Sequence, residues 1–155
     1  MLKEYATEDI RNVMLASHSG TGKTTLVEAM LNASGVISRI GSVEQGNTVS
    51  DYHPNEIERG NSIYLSFMHI DWNGKKINIV DAPGFTDFVG EVIAGFRAVD
   101  LVLLPVSAQA GVEVGTEIIW EYLTQRCVPA FFFVNKCDKE HSDFASALKL
   151  SLIHI

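Results

Sequence analysis

The stretch Ser17-His18-Ser19-Gly20-Thr21-Gly22-Lys23-Thr24 has the glycines, lysine and hydroxyls that suit the binding of a polyphosphate. Gly20 and Gly22 let the chain curl so that successive N–H groups point inward at an anion. A helix opening near Lys23, with Thr25 in its first turn, adds unpaired N–H groups and the positive end of its dipole. Lys23 can then reach the β- and γ-phosphates, and the Thr24 hydroxyl can ligate Mg²⁺. Ser17 stands where the usual pattern has its first glycine. If that position needs φ > 0 the serine is strained; if not, nothing is lost. The plain alternative is a Gly/Ser/Thr-rich turn. The flanks oppose it, because an apolar run precedes the loop and a good helix former follows it.

Two further stretches complete a site. Asp81 closes the apolar run Ile77-Asn78-Ile79-Val80 and leads into Ala82-Pro83-Gly84-Phe85. Alone, Asp-x-Pro-Gly is also an ordinary turn. Downstream of a phosphate loop, Asp81 suits the carboxylate that holds Mg²⁺ opposite Thr24, directly or through water. Gly84 can offer its N–H to a γ-phosphate and flip when that phosphate leaves. Asn135-Lys136-Cys137-Asp138 selects the base. A carboxylate at Asp138 accepts from the adjacent N1–H and 2-amino donors of guanine, a pair that adenine lacks. Lys136 would lie over base and ribose, Asn135 would brace the loops, and Cys137 needs no role. These four residues oppose an ATP-using enzyme.

The elements that must position these residues follow from hydrophobic pattern. Residues 12–16 form a strand buried on both faces, and a helix runs from about 23 to Ser34 before Gly35. From 38 to 62 no period survives, and a loop that long inside a compact domain is functional or mobile. Ile63, Leu65 and Phe67 are expected on one face of a strand over 63–68, and Asn73-Gly74 predicts a hairpin into the strand ending at Asp81. Residues 87–98 read as a helix, 101–106 as a buried strand, 113–125 as a helix and 129–134 as a further buried strand. This is an α/β order with a mostly parallel sheet and helices on both faces, and such sheets bind ligands at the carboxyl ends of their strands. Every motif above lies there.

With 46% hydrophobic residues, the 155-residue chain can build one domain with a real core. Two cysteines, Cys127 and Cys137, make a disulfide framework an unsuitable reading and fit a reducing cytoplasm. No apolar run is long enough to span a membrane. A net charge of −7 argues against direct binding to DNA, and against this domain wrapping RNA by itself. His53, His69, His141 and His154 show no metal-ligand spacing, and His18 reads as a neutral loop histidine before a catalytic one. The Phe131-Phe132-Phe133 run reads as buried strand, since no basic residues interleave it as in a stacking platform.

Taken together, these motifs resemble the GTP-binding domain of the translational GTPases, and most closely that of elongation factor G, over about residues 8–149. The stretch Gly41…Gly46…Asp51…Glu58-Arg59-Gly60-Asn61-Ser62-Ile63 resembles the first switch, Asp81 to Phe88 the second, and Gly111-Val112-Glu113 the lead into the next helix. The resemblance implies a P-loop GTPase domain that binds GTP and GDP with Mg²⁺. By position it makes Ser17 to Thr25, Asn135, Lys136 and Asp138 the nucleotide-binding residues, and Thr24, Ser62 and Asp81 the metal residues. It places Lys23, Gly84 and Phe85 at the reacting phosphate, and it implies the ribosome as partner of the full-length protein.

Three departures from the family pattern carry consequences. Phe85 sits where the family has the histidine that positions the attacking water, Ser62 where it has threonine, and Ser17 where it has glycine. Together they point to a divergent elongation-factor-G-like paralogue with slow hydrolysis, or to a GTP-dependent binding module with little or none. The domain is expected to be incomplete at its C-terminus after residue 149. Residues 150–155 are expected to be a non-native or truncated tail, with the start of a genuine strand as the other reading.

Overall fold

The structure, a computed structural model, describes residues 3–153. Five strands, β1 (Ile10–Leu15), β2 (Ser66–Trp72), β3 (Lys75–Asp81), β4 (Leu101–Ser107) and β5 (Ala130–Asn135), form one sheet in the order β2-β3-β1-β4-β5. All neighbours are parallel except the β2–β3 hairpin. Asn73 and Gly74 turn that hairpin with φ of 47° and 78°, the left-handed pair that matches strand twist. The helices are α1 (Lys23–Ala33), α2 (Pro54–Arg59), α3 (Val89–Gly95), α4 (Val114–Arg126) and α5 (Phe144–Ile153).

Two cores sandwich the sheet, as strict alternation along buried strands requires. On one face Met14, Ala16, Val80, Val102 and Leu104 pack with Val92 and Phe96 of the α3 segment and with Ile119 and Leu123 of α4. On the other, Leu15, Ile70 and Ile79 pack with Val27 and Leu31 of α1. Register then aligns the strand ends: Leu15 lies beside Asp81, and Ser107 beside Asn135. The phosphate loop, Asp81 and Asn135 therefore leave the sheet at one rim.

Four expectations need correction. The strand expected at 63–68 begins only at Ser66; Leu65 packs into the core from the preceding loop, whereas Phe67 is 69% exposed. Residues 38–62 are not without local order, since they contain a 3₁₀ turn at Val43–Gln45 and helix α2. β5 is a sheet edge, not a buried strand, and Phe131 is 63% exposed; with β4 as its one neighbour among the described residues, its outer face has little cover. Residues 150–153 continue α5 as helix, so no strand starts there. Met1, Leu2, His154 and Ile155, the last two belonging to the expected tail, lie outside the described residues.

Candidate functional site

A cleft of about 590 Å³ opens at the rim where these strand ends meet. One wall is the phosphate loop, contributing Ser19, Gly20, Gly22, Lys23, Thr24 and Thr25. Gly22 adopts φ 94°, and a Cβ there would lie 2.6 Å from Asn135 Nδ2. That closeness explains the glycine: the Asn135 side chain occupies the space and donates to Thr21 O at 2.9 Å. Lys136 Nζ reaches Gly20 O, so both residues tie the base-reading segment to the phosphate loop. Asp138 stands exposed on the same cleft, its carboxylate free to accept.

The sequence-selected loop residues separate into two groups. Ser17, His18 and Thr21 are not on the cleft wall. Ser17 is fully buried, and its Oγ lies 2.6 Å from Thr21 Oγ1. It is absent from the residues with positive φ, so a serine fits there without strain. The His18 ring turns toward α4, where Nδ1 accepts from Gly115 N–H at 3.3 Å and Nε2 lies 3.5 Å from Glu113 Oε1.

The residues expected to hold the metal do converge. Thr24 Oγ1 donates to Asp81 Oδ2 at 2.9 Å and lies 3.4 Å from Ser62 Oγ. Asp81 Oδ1 is buried without a hydrogen-bond partner, as is Asp51 Oδ1. Hard oxygen donors with unspent lone pairs suit Mg²⁺, so the set fits that ion. Burial pushes the Asp81 carboxyl up to about 6, against the pull of Lys23 and of the Thr24 hydrogen bond. Burial likewise lowers Lys23 to about 8, opposed by Asp81, Asp51 and Glu113. Lys23 Nζ donates to the carbonyls of Ser17 and His18 at 3.0 and 2.9 Å. Gly84 sits directly against it: a Cβ would come 2.4 Å from Lys23 Nζ and 2.7 Å from Ser19 N. Only glycine allows the turn after Asp81 to come this close to the phosphate loop. Phe85, 43% exposed, lines the cleft beside it.

Glu28 and Glu56 escape a reading of the sequence, and Asp51 enters it only as part of the first-switch resemblance. Asp51 lines the cleft, and burial raises its carboxyl against the opposing pull of Ser62 and Lys23. Glu56, fully buried, accepts from the N–H groups of Ile63, Tyr64 and His53 at 2.9, 3.1 and 3.3 Å, and so fixes the chain on both sides of Ser62. Glu28, also buried, accepts from Gly41 and Val49. The signal available for Glu28 was its position, four residues after Thr24 on one helix face and between the core residues Val27 and Leu31. Glu56 had none, because its segment has no period, and Asp51 had only its place in the stretch that resembles the first switch.

The comparisons agree with this geometry. The sequence model of the elongation factor Tu GTP-binding domain matches residues 8–151. Mitochondrial ribosome-releasing factor 2 of Drosophila willistoni is 42% identical over 144 residues, covering 93% of this chain and 19% of that protein. The elongation factor G-like protein of Mycobacterium tuberculosis is 42% identical over 139 residues, 90% of this chain and 20% of its own. A crystal structure from Thermus thermophilus superposes with a TM-score of 0.88 at 38% identity, covering 94% of this chain and 22% of the other. Elongation factor SelB from Methanococcus maripaludis, solved with the GTP analogue GppNHp, has a TM-score of 0.67 at 20% identity over 92% of this chain and 25% of SelB, a likeness of fold alone. The chain thus spans about a fifth of the length of these curated relatives. With the phosphate loop, the Thr24–Asp81 pair and the Asn135-to-Asp138 segment at one sheet rim, and a family match across nearly all its length, this chain belongs to the elongation factor Tu GTP-binding domain family of translational GTPases.

Proposed function

We propose that this domain is the guanine-nucleotide switch of an elongation-factor-G-like protein that acts with the ribosome, binds GTP with Mg²⁺ and hydrolyses it slowly. The observation that carries the reading is the convergence of Lys23, Thr24, Ser62 and Gly84 on one cleft that Asp138 also lines, with the buried Asp81 bonded to Thr24. Thr24 and Ser62 hydroxyls and the Asp81 carboxylate would hold Mg²⁺, which supplies charge neutralisation at the phosphates. Lys23 and the loop N–H groups orient the β- and γ-phosphates, and Asp138 accepts from the guanine edge. Gly84 brings the second switch within reach of the terminal phosphate, whose presence then orders residues 38–62 and 81–90 for a larger machine to read. Exposed free thiols at Cys127 and Cys137 suit a reducing compartment, and we place the protein in the cytoplasm.

Phe85 sets the rate. A histidine at this position can hydrogen-bond a water and hold it in line with the γ-phosphate; a phenyl ring has neither donor nor acceptor. Losing one positioning group commonly costs on the order of a hundredfold in rate. Half-exposed Phe85 also favours a second reading, a GTP-dependent binding module that hydrolyses little or nothing. Single-turnover GTP hydrolysis by the full-length protein with ribosomes, wild type against Phe85→His, tests both. We expect slow turnover that the histidine accelerates. No ribosome-stimulated phosphate release from the wild type would favour the binding module. Fast wild-type turnover with no gain from histidine would mean another residue positions the water.

A further inference from the structure

Residues 41–49 form a closed loop with its own internal ties. Ser42 N–H donates to Asn47 Oδ1 at 2.7 Å, Gln45 N–H to Ser42 O at 3.1 Å, and Gly46 N–H to Val43 O at 3.0 Å. Gly41 and Asn47 meet at the neck, where a Cβ on Gly41 would lie 2.5 Å from Asn47 O. Two residues of the loop, Val43 and Glu44, line the nucleotide cleft across from the phosphate loop. The loop packs against Ile57 through Gly46, and among the described residues its hydrogen bonds to the rest of the domain go to a single side chain. Glu28 Oε2 accepts from Gly41 N–H at 2.7 Å, and Glu28 Oε1 accepts from Val49 N–H at 2.6 Å. Each carboxylate oxygen takes one end of the loop. The carboxylate is buried, and no ion pair among the described residues neutralises it. Charge-assisted bonds of this length are the strong kind, and breaking either one strands a buried acceptor.

We propose that Glu28 is the latch of the nucleotide cleft: one buried carboxylate on the phosphate-loop helix holds both ends of residues 41–49, keeps Val43 and Glu44 in place as a wall, and thereby sets how slowly guanine nucleotide leaves. Glu28 is buried and does not line the cleft, so it is a positioning residue acting through the loop. Thr24 lies one helical turn before it, which couples the latch to the helix that carries the metal-binding hydroxyl. The proposal rests on the cleft being a guanine-nucleotide site.

The experiment has two arms, both on the full-length protein. Stopped-flow release of a fluorescent GDP should be about tenfold faster in Glu28→Ala than in wild type. Glu28→Gln should also be faster, because in either orientation its NH₂ faces one of the two N–H groups. Hydrogen exchange should show residues 41–49 losing protection in both variants while amides of β1 and β4 keep theirs, a pattern that general destabilisation would not give. Should Glu28→Ala not fold, Glu28→Gln preserves side-chain volume and decides the question by itself. Unchanged release with the loop amides deprotected would overturn the gating role, and loop amides still protected in Glu28→Gln would overturn the latch. A wild type that binds neither GDP nor GTP would overturn the functional reading instead, and the exchange arm would still judge the latch.

Discussion

The phosphate loop, residues 17–24, and the first-switch segment, residues 41–64, face each other across one cleft, yet they are held by opposite means. The phosphate loop is shaped by backbone: left-handed glycines at 20 and 22, carbonyls that take the Lys23 ammonium, and a helix start. The first-switch segment is shaped by two buried carboxylates, Glu28 and Glu56, that accept five backbone N–H bonds between them. A backbone-built site stays put whatever is bound. A segment hung on a few side-chain acceptors can be released as a unit, as a switch must be. The contrast teaches where to cut: substitutions on the recognition side should change what binds, and those on the switch side should change how firmly the loop is held.

The largest expected effect is on the recognition side, at the base. Asp138→Asn replaces an acceptor pair by a side-chain amide, which suits the 2-oxo group of xanthine and not the 2-amino group of guanine. Sites built to hydrogen-bond a substrate group reject the mismatched analogue strongly, so GDP affinity should fall by on the order of a thousandfold or more while XDP gains. Competition binding measures both. A variant that still prefers GDP would mean that Asp138 does not read the base.

Between the two regions lies Asp81, and its substitution should separate stability from function. Its carboxyl titrates at about 6 in the folded domain, above the ordinary value of 3.8. The folded state therefore holds a proton that the unfolded state has lost over that window, and stability falls as pH rises from about 4 to about 6. Asp81→Asn removes the fall. The nucleotide-free variant should equal wild type near pH 4 and exceed it at pH 7.5 by up to about 3 kcal/mol, reduced by what Lys23 loses with its buried counter-charge. Urea melts at the two pH values give the difference. The same variant should lose the Mg²⁺ dependence of GTP binding, which marks the carboxylate as kept for function at a cost in stability.

On the switch side, Glu56→Ala should cost about 1–2 kcal/mol, less than three lost hydrogen bonds would suggest, because residues 61–64 can open to water. Denaturant unfolding reads the loss, and hydrogen exchange at Ile63 and Tyr64 locates it. If global stability drops by far more, the segment is part of the core and the contrast between the two regions fails.

The same contrast explains what was legible in the sequence. Val13 to Ala16, Leu101 to Val106 and the Asn73-Gly74 turn declare themselves because period, β-propensity and turn chemistry are local. Gly22, Lys23, Thr24 and Asp138 stand out in the sequence because a phosphate or a base edge would demand those types at that spacing, and the structure brings all four to one cleft. The segment 41–64 resembles a first switch by its residues but its local order is not legible in them, since that order comes from the Glu28 carboxylate, 13 and 21 residues away from the amides it holds, and from Glu56 across a turn. Phe131 misleads for another reason: an apolar run shows that a strand exists but not whether it has neighbours on both sides.

The smallest effect is expected at Ser17, and it tests whether the phosphate loop is as purely backbone-built as it looks. The family pattern has glycine there, which invites the idea that Ser17→Gly would relax a strained position and improve the site. Ser17 has no positive φ, so there is no strain to relax. The substitution would instead remove the buried Ser17 Oγ–Thr21 Oγ1 contact at 2.6 Å and give the unfolded chain more freedom. Each effect is small, and together they should destabilise the domain by about 1 kcal/mol. Ser17 is off the cleft wall, so GDP affinity should stay within about twofold of wild type. Ser17→Ala, which removes the hydroxyl but not the Cβ, should account for part of the stability loss and none of any change in binding. A Ser17→Gly protein that is more stable or binds several-fold more tightly would show that the loop is strained in a way its dihedral angles do not record, and that side chains shape this half of the cleft as well.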